Sequence, residues 1–360
     1  MTKNRDEQLW DVRFVNTIKC LAPGTMLRDG LENVLRAKTG ALVVVGDSAK
    51  VMEAVDGGFA INCDFTPAAF YELAKMDGAL VLSSDAKRIL YGNAQLVPDS
   101  SIVTLETGTR HRTAERMAKQ TGVLVIAISQ RRNIITLYLG NLRYTLKDIT
   151  VILSRANQAL QTLEKYQAIL AHGLNTLSAL EFEDMVTLGD VASAAIRAEQ
   201  VGRIATEIRR SIIELGSEGR LISMQVDELM PKEDEVLLLI KDYCVSADAA
   251  THESVREQIA ELPEENLDPY NVCRILGYGV TPNTIDVLVA PRGYRLLNRI
   301  PRLPMTVVEN LVACFKTLKR VYNATIEELD EVEGIGEIRA KAIKDVLKRL
   351  RDQALLDRQI

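Results

Sequence analysis

Two short stretches carry side chains whose types and spacing could do chemistry. Asp77-Gly78-Ala79 sets a carboxylate and a glycine at the mouth of an apolar run over 79–83, where a ligand can approach the backbone. An Asp-Gly pair is by itself equally an ordinary turn. In Glu106-Thr107-Gly108-Thr109-Arg110-His111-Arg112-Thr113, two arginines flank a histidine between hydroxyls, at the apparent start of a helix. The positive end of a helix dipole favours acids in the first turn. Arg110 and Arg112 there cost stability unless an anion compensates. Guanidinium forks take phosphate oxygens in pairs, and the free N–H groups of the helix start add donors. The pattern suits a triphosphate. The competing reading pairs the two arginines with Glu106 and Glu115.

A third stretch lies near the end of the chain. Gly334-Ile335-Gly336 separates Ile326, Leu329 and Val332 from Ile338, Ala340, Ile343, Val346 and Leu347, two apolar patterns of helical spacing. Two glycines around one apolar residue let the chain reverse while that residue anchors inside. The free N–H groups of the next helix start then face outward, where a phosphate oxygen is a natural partner. Arg339, Lys341, Lys344, Lys348 and Arg349 supply charge around it. This is a helix-hairpin-helix signature, and Gly334, Ile335, Gly336, Arg339 and Lys341 are its candidate DNA contacts. Such contacts read phosphates rather than bases, so binding is expected to be sequence-independent and salt-sensitive. The competing reading is a hairpin whose lysines only solvate a face. Around Ile300-Pro301-Arg302-Leu303-Pro304 stands a degenerate first copy without the double glycine.

The elements that must position these residues divide the chain into three textures. Residues 1–147 alternate short apolar runs (41–45, 79–83, 123–129, 134–139, 142–146) with helical stretches (26–37, 67–75, 110–120). The period predicts one mixed sheet covered by helices. Gly140-Asn141 between two runs predicts a hairpin. From 148 to 290 the chain reads as an elongated all-α spine. Ile152, Ala156, Leu160, Leu163, Tyr166, Leu170, Leu174 and Leu177 recur at threes and fours, one apolar stripe on a helix of roughly 30 residues. A second helix opens at Thr187-Leu188-Gly189-Asp190, an approximate capping box, and runs toward Gly216. Shorter helices are expected over 221–229, 233–243, 253–262 and 269–276. A spacer is the simplest role for this region, and its stripe also suits self-association. Residues 291–360 are basic, with 14 Lys/Arg against 10 Asp/Glu, in a chain whose net charge is −5.

Composition narrows the classes. Hydrophobic residues make up 47% and charged residues 26%, the balance of a folded chain rather than a disordered one. The five cysteines are scattered without a C-x-x-C pair, which argues against a disulfide framework and a structural zinc. Three histidines leave little for a multi-histidine metal cluster. The start MTKNRDEQLW lacks the apolar core of a signal peptide, and no apolar run is long enough to span a bilayer. A cytoplasmic protein without membrane contact is expected.

Asp77-Gly78-Ala79 and Arg110-His111-Arg112, in this order in an α/β domain of this size, resemble the paired motifs of the diadenylate cyclase domain. With the helical middle and the terminal hairpin, nearly the whole chain resembles the DisA family of diadenylate cyclases. The resemblance implies an α/β cyclase domain over 1–147, the spine over 148–290 and a helix-hairpin-helix DNA-binding domain over 291–360. It implies condensation of two ATP into cyclic di-AMP with release of two pyrophosphates, in cyclase domains that meet face to face. Asp77 would bind a divalent metal, Mg²⁺ or Mn²⁺, and assist deprotonation of the 3′-hydroxyl. Thr109, Arg110, His111, Arg112 and Thr113 would hold phosphates, Ser129 would add a contact, and Gly78 and Leu96 would line the nucleoside pocket. A homo-octamer, binding of branched DNA that lowers synthesis, and association with the nucleoid are also implied. The alternative is a DNA-binding structural protein whose N-terminal domain senses ATP without turning it over.

Overall fold

Successive residues of Ala41–Val45, strand β1, enter two different cores. Ala41 and Val43 join Leu31, Phe70 and Ile128, while Leu42 and Val44 join Met117, Ala118 and Val125. A strand buried on both faces needs an apolar side chain at every position, not every second one. That is why this segment reads as a continuous run. The structure is a computed structural model that describes residues 10–230, 234–246, 248–279 and 281–357. Most of the charged N-terminal segment read above for its lack of a leader lies outside these residues. So does Glu233, expected to open a helix.

The chain packs as two units: the chain up to Asn157 with Arg209–Met224, and Gln158–Ile208 with Gln225–Ile360. The first unit holds helices α1 (Val12–Cys20) and α2 (Met26–Arg36), β1, α3 (Ala49–Met52), β2 (Val55–Asp56), β3 (Phe59–Asp64) and α4 (Pro67–Ala74). It continues through β4 (Ala79–Leu82), β5 (Arg88–Leu96), α5 (Thr109–Thr121), β6 (Leu124–Ser129), β7 (Ile134–Leu139) and β8 (Leu142–Thr145). One sheet runs in the order β2-β5-β4-β1-β6-β7-β8, with β3 also on β5. β1 and β4 are parallel and the other pairings antiparallel, the expected mixed sheet. Helices α1, α2 and α4 cover one face, α3 and α5 the other. Gly140 turns β7 into β8 at φ +56°, with Leu139 opposite Leu142, as the Gly-Asn pair predicts.

Five elements of this unit, α1, α3, β2, β3 and β5, are absent from the sequence reading. Helix α1 starts at Asp11, whose carboxylate accepts from the Phe14 N–H at 2.7 Å. Strands β3 and β5 pair through an irregular register between Ala60 and Cys63, and Asn62 and Asn93 have φ near +50°. Bulges re-aim the side chains and break the period on which the reading relied.

Two long helices, α6 (Ile149–Glu183) and α7 (Leu188–Leu215), carry the spine pattern. The apolar stripe of α6 is buried except at Tyr166, which is exposed. The box at the start of α7 is real: the Asp190 carboxylate accepts from Thr187 N–H (3.0 Å) and Oγ1 (2.7 Å), and Asp190 N–H donates to Thr187 Oγ1 (3.2 Å). Helices α8 (Arg220–Leu229), α9 (Glu235–Tyr243), α10 (Ala249–Glu261) and α11 (Pro269–Ile275) follow. Sequence texture changes at 147 and 290, but packing groups much of the spine with the terminal hairpins in the second unit.

The terminal region comprises α12 (Tyr294–Asn298), α13 (Met305–Phe315), α14 (Leu318–Asn323), α15 (Ile326–Asp330) and α16 (Glu337–Asp357). It is an internal repeat. Leu297, Ile300, Val308 and Leu311 take the buried places in the first hairpin that Leu329, Val332, Ala340 and Ile343 take in the second. Arg302 at φ +60° stands where the second copy has Gly334 at φ +88°.

Candidate functional site

Helix α5 begins without a cap. Gly108 at its N-cap has no side chain to receive the first free N–H groups, and its first turn holds no acid. The first bond within the helix runs from Arg112 N–H to Gly108 C=O at 2.8 Å. Cations and unanswered donors thus share one helix end, the condition under which an anion stabilises it. The competing ion-pair reading fails. Glu106 binds Arg143 at 2.7 Å and accepts from Tyr138 Oη at 2.8 Å. Glu115 takes Lys119 at 2.7 Å and the hydroxyl of Thr104. Arg112 reaches only the carbonyls of Glu106 and Thr107, at 3.5 and 3.4 Å. Among the described residues neither Arg110 nor Arg112 has a carboxylate partner.

Arg110 crosses the sheet end at β1, where a β-carbon on Gly40 would lie 2.0 Å from its Nη1. Sequence reasoning passed over Gly40, because its Thr-Gly context reads as a loop. The strand register draws the other candidates to this end. Leu42 pairs with Ala79 in parallel, and Ala41 pairs with Ile128 antiparallel. Asp77 therefore precedes β4, Gly40 precedes β1 and Ser129 closes β6, all at one end of three adjacent strands. At a strand spacing of about 4.8 Å, Asp77 lies roughly one strand from Gly40 and two from Ser129. The C-terminal end of β5, with Leu96, is at the same end, since Ala79 pairs with Ala94.

Each candidate has a definite setting there. Asp77 is exposed and makes no hydrogen bond or ion pair among the described residues. Gly78 has φ +90°, and a β-carbon on it would meet Asn93 C at 2.8 Å and Ala94 O at 2.9 Å, so the sheet itself demands glycine. Ser129 is half-buried and its Oγ accepts from Arg132 N–H at 3.3 Å. Thr109 is exposed and Thr113 half-buried. The Leu96 side chain is buried with Ala54, Ala79 and Ala94.

His111 turns the other way, onto β7. Its Nδ1 is 3.0 Å from Tyr138 Oη, while its Nε2 is buried without a partner. Burial holds the imidazole below its usual range. Glu106 opposes that shift, and the charges of Arg132, Arg143 and Arg110 add to it. The Tyr138 hydroxyl is pushed well above the usual phenol range, first by burial and then by the bond to Glu106.

The donor set also bears on a divalent ion. No group of three or more His, Cys, Asp or Glu able to hold a metal occurs among the described residues. A lone free carboxylate nevertheless fits Mg²⁺ or Mn²⁺ arriving on a polyphosphate, since Mg²⁺ commonly takes one or two protein carboxylates and completes its shell from phosphates and water.

In the second unit, Gly334 turns the chain at φ +88° and Ile335 beyond it is buried, as the motif predicts. Gly336 C=O receives the Ala340 N–H at 2.9 Å, and Glu328 and Thr325 form a capping box at the start of α15. Asn310 of α13 donates to Glu333 C=O at 3.1 Å, bracing the turn from the first hairpin. Arg339 bends back to Gly334 C=O, and Lys341 pairs with Glu337. Lys344 donates to Ala324 C=O at 2.7 Å and also to Tyr322 C=O, so it serves the end of α14 rather than an outward surface. Ile338 in the first turn of α16 is 86% exposed, leaving an open face beside the glycines.

No helix among the described residues is long and apolar enough to cross a membrane. Comparison with known proteins finds three family matches along the chain. Residues 28–142 match the DAC model, DisA bacterial checkpoint controller nucleotide-binding, and 146–285 match the DisA bacterial checkpoint controller linker region. Residues 317–346 match the helix-hairpin-helix motif. A DNA integrity scanning protein DisA from Carboxydothermus hydrogenoformans is 59% identical over 95% of this chain and 98% of its own length. Another from Clostridium botulinum is 57% identical over 97% and 98%. A solved DacA from Staphylococcus aureus is 15% identical over 40% of this chain and 91% of its own, with a TM-score of 0.30, too slight a likeness to bear weight. With these relatives matched over nearly its whole length, the chain belongs to the DisA family of DNA integrity scanning proteins and carries that family's diadenylate cyclase domain.

Proposed function

We propose that the chain joins two ATP molecules through two 3′–5′ phosphodiester bonds, releasing two pyrophosphates, and that branched DNA on its terminal hairpins lowers this synthesis. The observation that carries the reading is the convergence of an unpaired Arg110, the uncapped start of α5, Ser129 and a free Asp77 carboxylate on one end of the sheet. In this reading the helix start, Thr109, Arg110, Arg112 and Thr113 hold the triphosphate. Positive groups there stabilise the departing pyrophosphate because they are fixed before the charge develops. Asp77 would hold the ion that accompanies the nucleotide and take the proton of the attacking 3′-hydroxyl. The ion would draw electron density from the phosphate oxygens. Gly78 and Leu96 would flank the nucleoside.

One such site holds one nucleotide, and each 3′-hydroxyl must attack the other's α-phosphorus in line. Two sites related by a two-fold axis supply that geometry, and the orientation contributes roughly 7–11 kcal/mol of effective molarity. A homo-octamer with paired cyclase domains, located in the cytoplasm at the nucleoid, belongs to the same proposal. The test is incubation of the purified chain with ATP and Mg²⁺ or Mn²⁺, with and without a four-way DNA junction, and chromatographic separation of the nucleotides. Cyclic di-AMP that declines on adding the junction is the expected result. ATP binding without product would leave the non-catalytic sensor in its place.

A further inference from the structure

A tyrosine fixes which nitrogen of His111 is left to work. Tyr138 on β7 stands opposite Arg143 on β8, and both address Oε1 of Glu106, at 2.8 and 2.7 Å. A carboxylate paired with an arginine only accepts hydrogen bonds, so the single proton of Tyr138 Oη goes to Glu106. Toward His111 Nδ1, 3.0 Å away, the phenol oxygen then has only lone pairs to offer. Nδ1 must carry the imidazole proton. Nε2, buried and without a partner, is left with a bare lone pair. Thr136 precedes Tyr138 by two residues on the same face of β7, and its buried hydroxyl is also without a partner. Buried polar atoms left unmet in this way mark a place that a further group completes.

We infer that Tyr138, held by Glu106 and Arg143, is a positioning residue that keeps His111 as the neutral Nδ1–H tautomer, so that Nε2 offers an electron pair and not a proton. The inference rests on the cyclase reading for the identity of the ligand, and it revises the phosphate-holding role expected for His111. Phosphate oxygens at neutral pH are acceptors and cannot pair with a bare Nε2. The fitting partner is a hydrogen donor on the nucleotide, a sugar hydroxyl or an exocyclic amine. The charged and titratable groups around the ring are Glu106, Arg110, Arg132, Arg143 and Tyr138, and three of these five are cations that oppose protonation.

Nitrogen NMR of the histidine-labelled full-length chain tests the tautomer without any nucleotide. Among the three histidines, His111 is expected with Nδ1 protonated and Nε2 bare. Tyr138→Phe, which keeps the ring, is expected to return it to a mixed population. An Nε2–H tautomer in the wild-type chain, or no change in Tyr138→Phe, overturns the inference even if cyclic di-AMP is made. On activity, turnover is expected to fall as pH drops into the imidazole range, and Tyr138→Phe to lose about tenfold, the scale of one lost hydrogen bond. Turnover that rises as His111 gains its proton would make the cation the working form and overturn the inference. A chain that makes no product under any condition refutes the cyclase reading, while the NMR result still decides the tautomer.

Discussion

Gly40 is the floor beneath Arg110: a single added β-carbon would lie 2.0 Å from the guanidinium Nη1 and 3.2 Å from the Ile128 carbonyl. The nearest atom is the tip of a flexible side chain, so the fold can yield while the arginine cannot stay. Gly40→Ala is therefore expected to lower ATP affinity roughly tenfold or more, the loss of a charge-assisted hydrogen bond of about 1.5–3 kcal/mol. The melting temperature should change little. Calorimetry with a non-hydrolysable ATP analogue measures both sides of this claim, and unchanged affinity would remove Arg110 from the triphosphate site.

Asp77→Asn keeps the shape of the side chain and removes its charge. Turnover is expected to vanish while ATP binding survives, as read by chromatography and by calorimetry on the same preparation. Near-normal turnover would assign the catalytic carboxylate elsewhere.

Gly78→Ala acts on the same corner by another route. At φ +90°, its β-carbon would press on backbone atoms of Asn93 and Ala94 that cannot rotate away. A loss of about 1–3 kcal/mol is expected for holding a non-glycine residue in such a conformation. A denaturant titration measures it, and a stability equal to wild type would show that β5 gives way.

The depressed imidazole of His111 links stability to pH. An unfolded histidine titrates near about 6.5, and the folded one below that. The unfolded chain therefore holds more protons in this window. The stabilisation is complete above the unfolded value and is lost as pH falls through it toward the folded one. The unfolding midpoint of the wild type should accordingly drop more between pH 8 and pH 5, to order of magnitude, than that of His111→Gln. Parallel losses in the two proteins would contradict the shift.

Within the second unit, Arg295 and Glu181 form a fully buried ion pair that Ser178 and Tyr243 complete at 3.0 and 2.7 Å. Arg295→Met leaves the Glu181 charge without its partner, a situation that costs about 3–5 kcal/mol. Adding Glu181→Gln should recover part of that loss. Equilibrium unfolding of the three proteins decides it, and a double variant no better than the single one would show the pair acts independently.

The regular parts of this fold were legible because their periods are local. The run 41–45, the hairpin at Gly140, the buried stripe of α6 and the reciprocal cap of Thr187 and Asp190 each follow from side chains within a few residues of one another. Strands β3 and β5 were not legible, since Asn62 and Asn93 break the alternation with conformations that only their pairing stabilises. Lys344 illustrates the same limit at the hairpin. Its charge suggests a phosphate contact, yet its ammonium serves the carbonyls of Tyr322 and Ala324, which the sequence places far from it.

By itself the sequence determined the kind of chemistry: arginines at a helix start without acids, a carboxylate before a strand, and a glycine turn followed by a basic helix. Those are properties of residue type and spacing, and helix dipoles and glycine sterics act within a turn. The tertiary structure alone decided which groups meet. The parallel pairing of β1 with β4 and the antiparallel return of β6 bring Asp77, Gly40 and Ser129 to one edge. The β7–β8 pairing puts Tyr138 and Arg143 on the same glutamate beneath His111. Register is set by burial summed over the whole sheet, and no short window of sequence contains that sum.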